Sequence, residues 1–362
     1  MDKELKKEIL DSLGNTVRQE GESKEDYRKR IKKAVNNECQ MFAISVQKGG
    51  VGKTVISSNL AYLLAEKGFK VLLMDCDPQS SLSQLLGCVP DEESEEAENP
   101  GLYELFEEIM DGHRLTKSFV DSIIRTPTYT EFETKRVTKN GKRMIERVPH
   151  EVPFGFDFIS SDISLADVEI ELPLKLGPNS GFAMMMITNF IKQNYDYDYI
   201  IADTCPGLGQ IVFSTIFASN FLVIPLQLEF FCVQGVKNLI DVTAQIQEIS
   251  LKKGIKHHGA LGIVVNEFIP RSRRQREVNE TIKQFIPIER FKSSIPSREQ
   301  CDISHLYGRL FSFDSKEAYE AFDVLADEII NRGVKVMNEE EVRIIRKEDL
   351  GKMFEDFDEV NE

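Results

Sequence analysis

No stretch of the chain approaches the eighteen or more apolar residues needed to span a bilayer, and the opening MDKELKKEIL is too charged for a secretory signal. The cytoplasm is the expected compartment. The six cysteines, Cys39, Cys76, Cys88, Cys205, Cys232 and Cys301, show no C-x-x-C spacing, which argues against a zinc site or a disulfide framework. Cys76 and Cys232 fall in apolar, strand-like stretches and read as small core residues. Positive charge is also short: 45 Lys and Arg against 60 Asp and Glu leave a net charge of −15. Such a surface repels a polyanion, so any DNA contact must come from a local basic patch.

What is present suits a large core. A chain of 362 residues with 41% hydrophobic content allows two average domains, or one α/β domain with additions. Strand-like runs are expected at Met41–Val46, Val71–Asp75, Phe156–Ser160, Tyr199–Asp203, Phe221–Pro225 and Ala260–Asn266. They alternate with helical patterns such as Thr54–Lys67, Phe182–Asn194, Phe231–Leu251 and Arg274–Phe285. That alternation predicts an α/β fold, a mostly parallel twisted sheet covered by helices on both faces. Such a sheet binds its ligand beyond the carboxyl ends of its strands.

Three segments depart from this rhythm. Residues 1–40 are charged and read as a helical arm for packing or dimerisation, with a capping box at Ser23-x-x-Asp26 and a stripe of Tyr27, Ile31 and Val35. From Thr128 to Val152 two alternating strands flank Asn140-Gly141, a hairpin signal, with a basic tip of Lys135, Arg136, Lys139, Lys142, Arg143 and Arg147. Solvated edge charge and binding to DNA or an acidic partner are both open for it. Residues 337–362 form an acidic tail without the basic polar face of a membrane-surface helix. The body, residues 41–336, is expected to be one nucleotide-binding domain carrying the hairpin as an insertion.

The chemistry concentrates at Gln47–Val55, QKGGVGKTV, directly after the first strand. A helix starting near Lys53 turns unpaired N–H groups and the positive end of its dipole toward an anion. Gly49, Gly50 and Gly52 permit close backbone approach to oxygen atoms, and Val51 and Val55 complete the cradle. In this P-loop reading Lys53 reaches the β- and γ-phosphates, and the Thr54 hydroxyl holds Mg²⁺. The strict P-loop pattern fails, because Gln47 stands where its first glycine belongs. A second lysine, Lys48, precedes Gly49-Gly50 instead.

That deviant Walker A loop resembles the ParA/MinD family, and further motifs extend the resemblance from about Met41 to Gly333. Val71–Gln79 ends in Asp75-Cys76-Asp77-Pro78-Gln79, similar to the family's switch I, D-x-D-P-Q; by that match Asp77 orients the attacking water and Asp75 supports the metal shell. Ser80 and Ser81 replace a common Gly-Asn. Tyr199–Asp203 followed by Thr204-Cys205-Pro206-Gly207 resembles Walker B and switch II, with Asp203 on the metal and Cys205 a departure. Pro225–Gly235 matches the partition pattern P-x-Q-x-E-x-x-x-x-x-G, and Phe311–Tyr319 the aromatic-Asp run of the same branch.

The resemblance implies a Mg²⁺-dependent ATPase that forms a nucleotide-sandwich homodimer. Lys48 would cross the interface to the other subunit's nucleotide, as an arginine finger acts in trans. Asn266 would read the adenine edge, with Pro296 closing over the base. Non-specific DNA binding in the ATP state and stimulation by a ParB-like centromere-binding protein are implied too. Arg271, Arg273, Arg274 and Arg276, extended by Lys292 and Arg298, form the candidate DNA patch, on which each neutralised phosphate adds a slope of about −0.9 to the salt dependence. A MinD-like membrane-surface switch needs the basic tail helix that is missing. An iron–sulfur carrier of the same superfamily needs paired cysteines, and Cys205 has no partner motif.

Overall fold

The computed structural model describes residues 3–88, 100–139, 142–229, 232–286, 288–297, 301, 304, 308–339 and 342. Seven strands form one sheet: β1 (Gln40–Ile44), β2 (Val71–Cys76), β5 (Asp157–Ile159), β6 (Tyr199–Thr204), β7 (Phe221–Gln227), β8 (Ala260–Phe268) and β9 (Arg290–Pro296). Their order is β5-β2-β6-β1-β7-β8-β9, and every pairing is parallel. The remaining strands, β3 (Thr128–Lys139) and β4 (Lys142–Pro153), pair only with each other, antiparallel.

The strands are continuous apolar runs because both faces are buried. Met41 and Ala43 enter one core layer, Phe42 and Ile44 the other, and β2 and β6 alternate likewise. The first layer is covered by α5 (Leu102–Met110), α6 (Lys117–Ile123), α7 (Leu165–Leu176), α8 (Ala183–Asn194), α9 (Gln210–Ala218) and α10 (Cys232–Lys252). The second is covered by α2 (Lys24–Ala34), α3 (Lys53–Glu66) and the long C-terminal α12 (Lys316–Met337). Between them in sequence lie α4 (Ser81–Leu85) after β2 and α11 (Arg273–Phe285) between β8 and β9, while α1 (Lys3–Leu13) opens the chain.

The sequence reading missed β9. Its residues alternate, with Phe291, Ser293 and Ile295 buried and Lys292 exposed, so polar residues at 290, 292 and 294 interrupt the run and hide its apolar face. That is the pattern of an edge strand, not of the continuous apolar runs that marked the others.

The N-terminal arm is built into the body. Ser23 accepts the backbone N–H of Asp26 and starts α2, which buries Tyr27, Ile31 and Val35. Arg28 meets Asp198 at 2.5 Å and Asp196 at 2.9 Å, and Asp198 also accepts the Lys70 N–H. The hairpin is rooted by Tyr129, whose ring packs on Phe154 and Phe313. Its Asn140-Gly141 turn, and the tail beyond residue 342, lie outside the described residues. Cys76 is fully buried, as a core residue should be, and nothing is described of the Cys232 side chain. Among the described residues no helix is long and apolar enough to cross a membrane.

One buried polar group ties β8 to α9 and responds to acid. The His257 ring is enclosed, with Nε2 2.9 Å from the Ile216 carbonyl and the Gly259 N–H donating to Nδ1 at 3.0 Å. Burial pushes its pKa down to about 4 from the ordinary 6.5. The folded state therefore refuses a proton that the unfolded chain accepts; the stabilisation is whole above pH 6.5 and is lost as pH falls toward 4. The loss should reach about 3 kcal/mol at the acid end. Thermal midpoints measured from pH 7.5 to 4.5 should fall more steeply for the parent than for His257→Gln. Parallel curves would show that the ring contributes no such linkage.

Candidate functional site

A cavity of about 680 Å³ opens at the carboxyl ends of β1, β2 and β8. Its lining includes Gly49, Gly50, Gly52, Lys53, Thr54, Val55, Asp77, Asn266 and Pro296. The sheet thus brings to one place residues more than two hundred positions apart. Gly50 and Gly52 hold φ angles of 73° and 83°, left-handed values that a side chain resists. A Cβ on Gly52 would also collide with the Asn266 amide. Gly52 is the N-cap of α3 and offers no capping side chain, so the first N–H groups of that helix point into the cradle. Lys53 is buried at its base, 8% exposed.

Opposite the cradle stand two acids. Strand register sets Asp75 beside Asp203 across the β2–β6 pairing, and Ile44 at the end of β1 beside Asp203. The Thr54 hydroxyl donates to Asp203 Oδ2 at 2.8 Å. The other oxygen, Oδ1, is buried and has no hydrogen-bond partner among the described residues. Burial raises the Asp203 pKa to about 6, against the opposing pull of the Thr54 hydrogen bond and the Lys53 charge. A buried carboxylate oxygen left open beside a threonine hydroxyl is a donor set that fits Mg²⁺, which binds through one or two carboxylates together with phosphate and water.

Asp75 departs from its expected role. Its Oδ1 accepts the Asp77 N–H at 3.1 Å, and its Oδ2 accepts both the N–H and the hydroxyl of Ser83, at 2.9 and 2.7 Å. It is wholly buried, and burial first, then the neighbouring Asp203, lifts its pKa to about 7. Both oxygens are occupied, so Asp75 anchors the segment after β2 and does not face the cradle as a metal ligand would. Sequence reasoning could not see this, because Ser83 carries no motif. Asp77 is half-buried on the cavity wall, with Oδ1 accepting the Gln79 N–H at 2.9 Å and its carbonyl accepting the Ser161 hydroxyl at 2.8 Å. Ser80, at the position where glycine is common in the motif, has a φ of 48°.

The loop is braced from the other side by the P-x-Q-x-E segment. Gln227 donates to the Gly50 carbonyl at 3.0 Å and to Glu267 at 2.7 Å. Lys48 Nζ meets Glu229 at 2.6 Å within the same chain, and that contact holds the Glu229 carboxyl below its usual range. Gln47, where the pattern lacked its glycine, accepts from Asn238 of α10 at 2.6 Å. Asn266 is 4% exposed, and one N–H of its amide donates to the Val51 carbonyl at 2.9 Å, so it also clamps the loop. Pro296 ends β9 at the cavity, while its neighbour Ile295 is buried in the core.

A residue without any sequence signal completes the switch region. Glu169 on α7 accepts the Gln210 and Ile211 N–H groups at the start of α9, just beyond Cys205-Pro206-Gly207. Burial pushes the Cys205 thiol up to about 12, which leaves it unreactive. Arg271, Arg273, Arg274 and Arg276 are all exposed at the start of α11, with Arg273 paired to Glu277 at 2.8 Å. Lys292 instead reaches the Ser12 hydroxyl of α1, at 3.2 Å. Arg298 lies outside the described residues.

Comparison with known proteins agrees with this geometry. The model of a family described as AAA domain matches residues 39–256. An uncharacterized protein of Methanocaldococcus jannaschii is 30% identical over 294 residues, covering 80% of this chain and 98% of its own. The chromosome partitioning protein ParA of Caulobacter vibrioides is 26% identical over 298 residues, 82% of this chain and 96% of its own. Among solved structures, cobyrinic acid a,c-diamide synthase from Mycobacterium smegmatis with bound ATP analog and magnesium shares the fold. Its TM-score is 0.58 at 22% identity, covering 80% of this chain and 93% of that one. The matched span takes in the cradle, both strand-end acids and the Gln227–Glu229 brace, and on that footing the chain belongs to the ParA/MinD family of AAA-domain ATPases.

Proposed function

We propose that this protein binds and hydrolyses ATP with Mg²⁺, dimerises around two nucleotides, and partitions DNA by binding it non-specifically in the ATP state. The observation that carries this reading is the unpartnered Asp203 Oδ1 beside Thr54, under a glycine loop that ends in a buried lysine. The Mycobacterium smegmatis synthase, which shares the fold, was crystallised with an ATP analog and magnesium, and the Caulobacter vibrioides relative is a chromosome partitioning protein. A ParB-like centromere-binding protein is the expected stimulating partner, and the nucleoid the expected location.

In this reading Thr54 and Asp203 hold Mg²⁺, whose contribution when bound is to neutralise phosphate charge. Lys53 and the N–H groups of Gly49 to Val55 bind the triphosphate, and the start of α3 orients it. Asp77 faces the same cavity and positions the attacking water. Asp75 holds the Asp77 backbone in place through its own hydrogen bond and that of Ser83. Pro296 lines the base end. Lys48 is the trans lysine: it leaves Glu229 when a second copy presents its nucleotide, and Glu229 keeps it extended until then. Arg271, Arg273, Arg274 and Arg276 bind DNA phosphates, with Arg298 as a candidate extension. The domain reading stays that of one nucleotide-binding body, 41–336, with an arm before it and an acidic tail after it.

Asp77→Ala should keep ATP binding and lower turnover by about a hundredfold or more. Turnover within about twofold of the parent would remove Asp77 from the water-positioning role. Light scattering of the Asp77→Ala protein with ATP should show a dimer, and adding Lys48→Ala should return it to a monomer that still binds ATP. A monomeric Asp77→Ala protein at high concentration contradicts the sandwich. Gel shifts with ADP, ATP and no nucleotide should show DNA retention only with ATP, lost on replacing Arg273 and Arg274. Retention without regard to nucleotide would overturn the ATP dependence, and none at all would favour a positioning switch that works without DNA.

A further inference from the structure

The hairpin sorts its charges by face. Register places Thr128, Thr130, Phe132, Thr134 and Arg136 of β3 in one surface row with Pro153, Glu151, Pro149, Arg147 and Ile145 of β4. Arg136 and Arg147 therefore share that face, and Glu151 is the one acid among these residues. Both Glu151 oxygens are taken at the root of the hairpin by the Thr128 and Thr130 hydroxyls, at 2.8 and 2.9 Å. The opposite face carries Glu131, Glu133 and Glu146, and there Lys135 pairs with Glu133 at 3.1 Å. Arg136 and Arg147 are exposed, as are Phe132 at 60% and Ile145 at 71%. From Lys135 to Arg147 the sequence holds six basic residues and one acid, in a chain of net charge −15.

We propose that this arginine face of the hairpin is a nucleic-acid-binding arm that lies in the major groove of duplex DNA. Two paired strands of twelve residues make a ribbon about 40 Å long, and the groove, about 12 Å wide, admits such a ribbon. The face presents guanidinium and threonine hydroxyl donors, which suit phosphate oxygens on the groove walls. Phe132 and Ile145 supply the apolar contact that sugar rings and thymine methyl groups accept. Among the described residues the ring contacts between hairpin and core lie at its root, Tyr129 against Phe154 and Phe313, so occupation of the outer face leaves the sheet undisturbed. This arm is separate from the α11 arginines and adds to their hold on DNA in the ATP state.

The test uses the full-length protein and a fluorescently labelled mixed-sequence duplex, with anisotropy read across a salt series, with and without ATP. The parent is compared with Arg136→Ala/Arg147→Ala and with Arg273→Ala/Arg274→Ala, and thermal midpoints check that each variant is folded. With ATP the hairpin variant should bind about tenfold or more weaker, and its salt slope should fall by about two. Its ATP turnover without DNA should equal the parent's. Arg136→Lys/Arg147→Lys should keep the salt slope. Unchanged affinity and slope in the hairpin variant, with loss only in the α11 variant, would overturn the arm and leave the α11 reading standing. Loss only in the hairpin variant would support the arm and remove the α11 patch. Poly-glutamate competing as well as duplex at equal charge would overturn the arm in favour of an acidic protein partner.

Discussion

Two buried carboxylates, Asp75 and Asp203, lie side by side near the ends of adjacent strands, and the site is organised around making that arrangement tolerable. Burial pushes both against ionisation, and the Asp203 charge adds to it at Asp75. The two acids escape the conflict differently. Asp75 is satisfied by three donors from the segment that follows it, so its penalty is offset by fixing that segment. Asp203 has one hydroxyl and the Lys53 charge, and keeps an oxygen open. An incompletely satisfied buried acid destabilises a fold unless something binds to it. The same feature that weakens the empty site therefore gives a cation and its attached anion a reason to enter.

The strand order follows from this. β1 must sit between β6 and β7 for the cradle to face Asp203 on one side and the Gln227–Glu229 brace on the other. Parallel strands put all their carboxyl ends on one edge, so β2, β6, β1, β7 and β8 each deliver one element of the site there. Asp77, Asp203, Lys53, Gln227 and Asn266 are the deliveries. Asp203, Gln227 and Asn266 sit near strand ends, so the rigid sheet sets their spacing, while Asp77 and Lys53 come just after their strands, on a loop and at the start of α3.

What was legible in the sequence was what is local. The cradle, the strand-end acids and the alternation of strands and helices are written in runs of ten residues or fewer, and the fold class followed from them. The Asn140-Gly141 turn marked the hairpin in the same way. What was hidden depends on contacts between distant segments. Nothing near Ser83 says that it will cap Asp75, and nothing near Glu169 says that it will hold the start of α9. Nothing near Asn266 says that it will also hold the Val51 carbonyl of the loop. Lys292 looked like part of a basic patch until the fold turned it toward α1. Gln47 broke a pattern, and only α10 explains it, since Asn238 supplies the contact that holds the loop there.

The Lys48–Glu229 pair is suited to the exchange of partners that the proposed dimer requires. Both side chains are partly exposed, 35% and 50%, so the pair contributes about 1 kcal/mol or less and can exchange partners readily. The alternative partner is far more demanding. Two copies of a chain of net charge −15, each holding a triphosphate, repel one another at close range, where screening beyond about 8 Å gives little help. Only positive charge inserted between the nucleotides can reverse that sign locally. A lysine already held extended by a weak carboxylate contact needs little reorganisation to do so, whereas one buried in its own subunit would first have to be extracted. In the proposed dimer, the weakness of the contact within one chain is what would make the contact between two chains accessible.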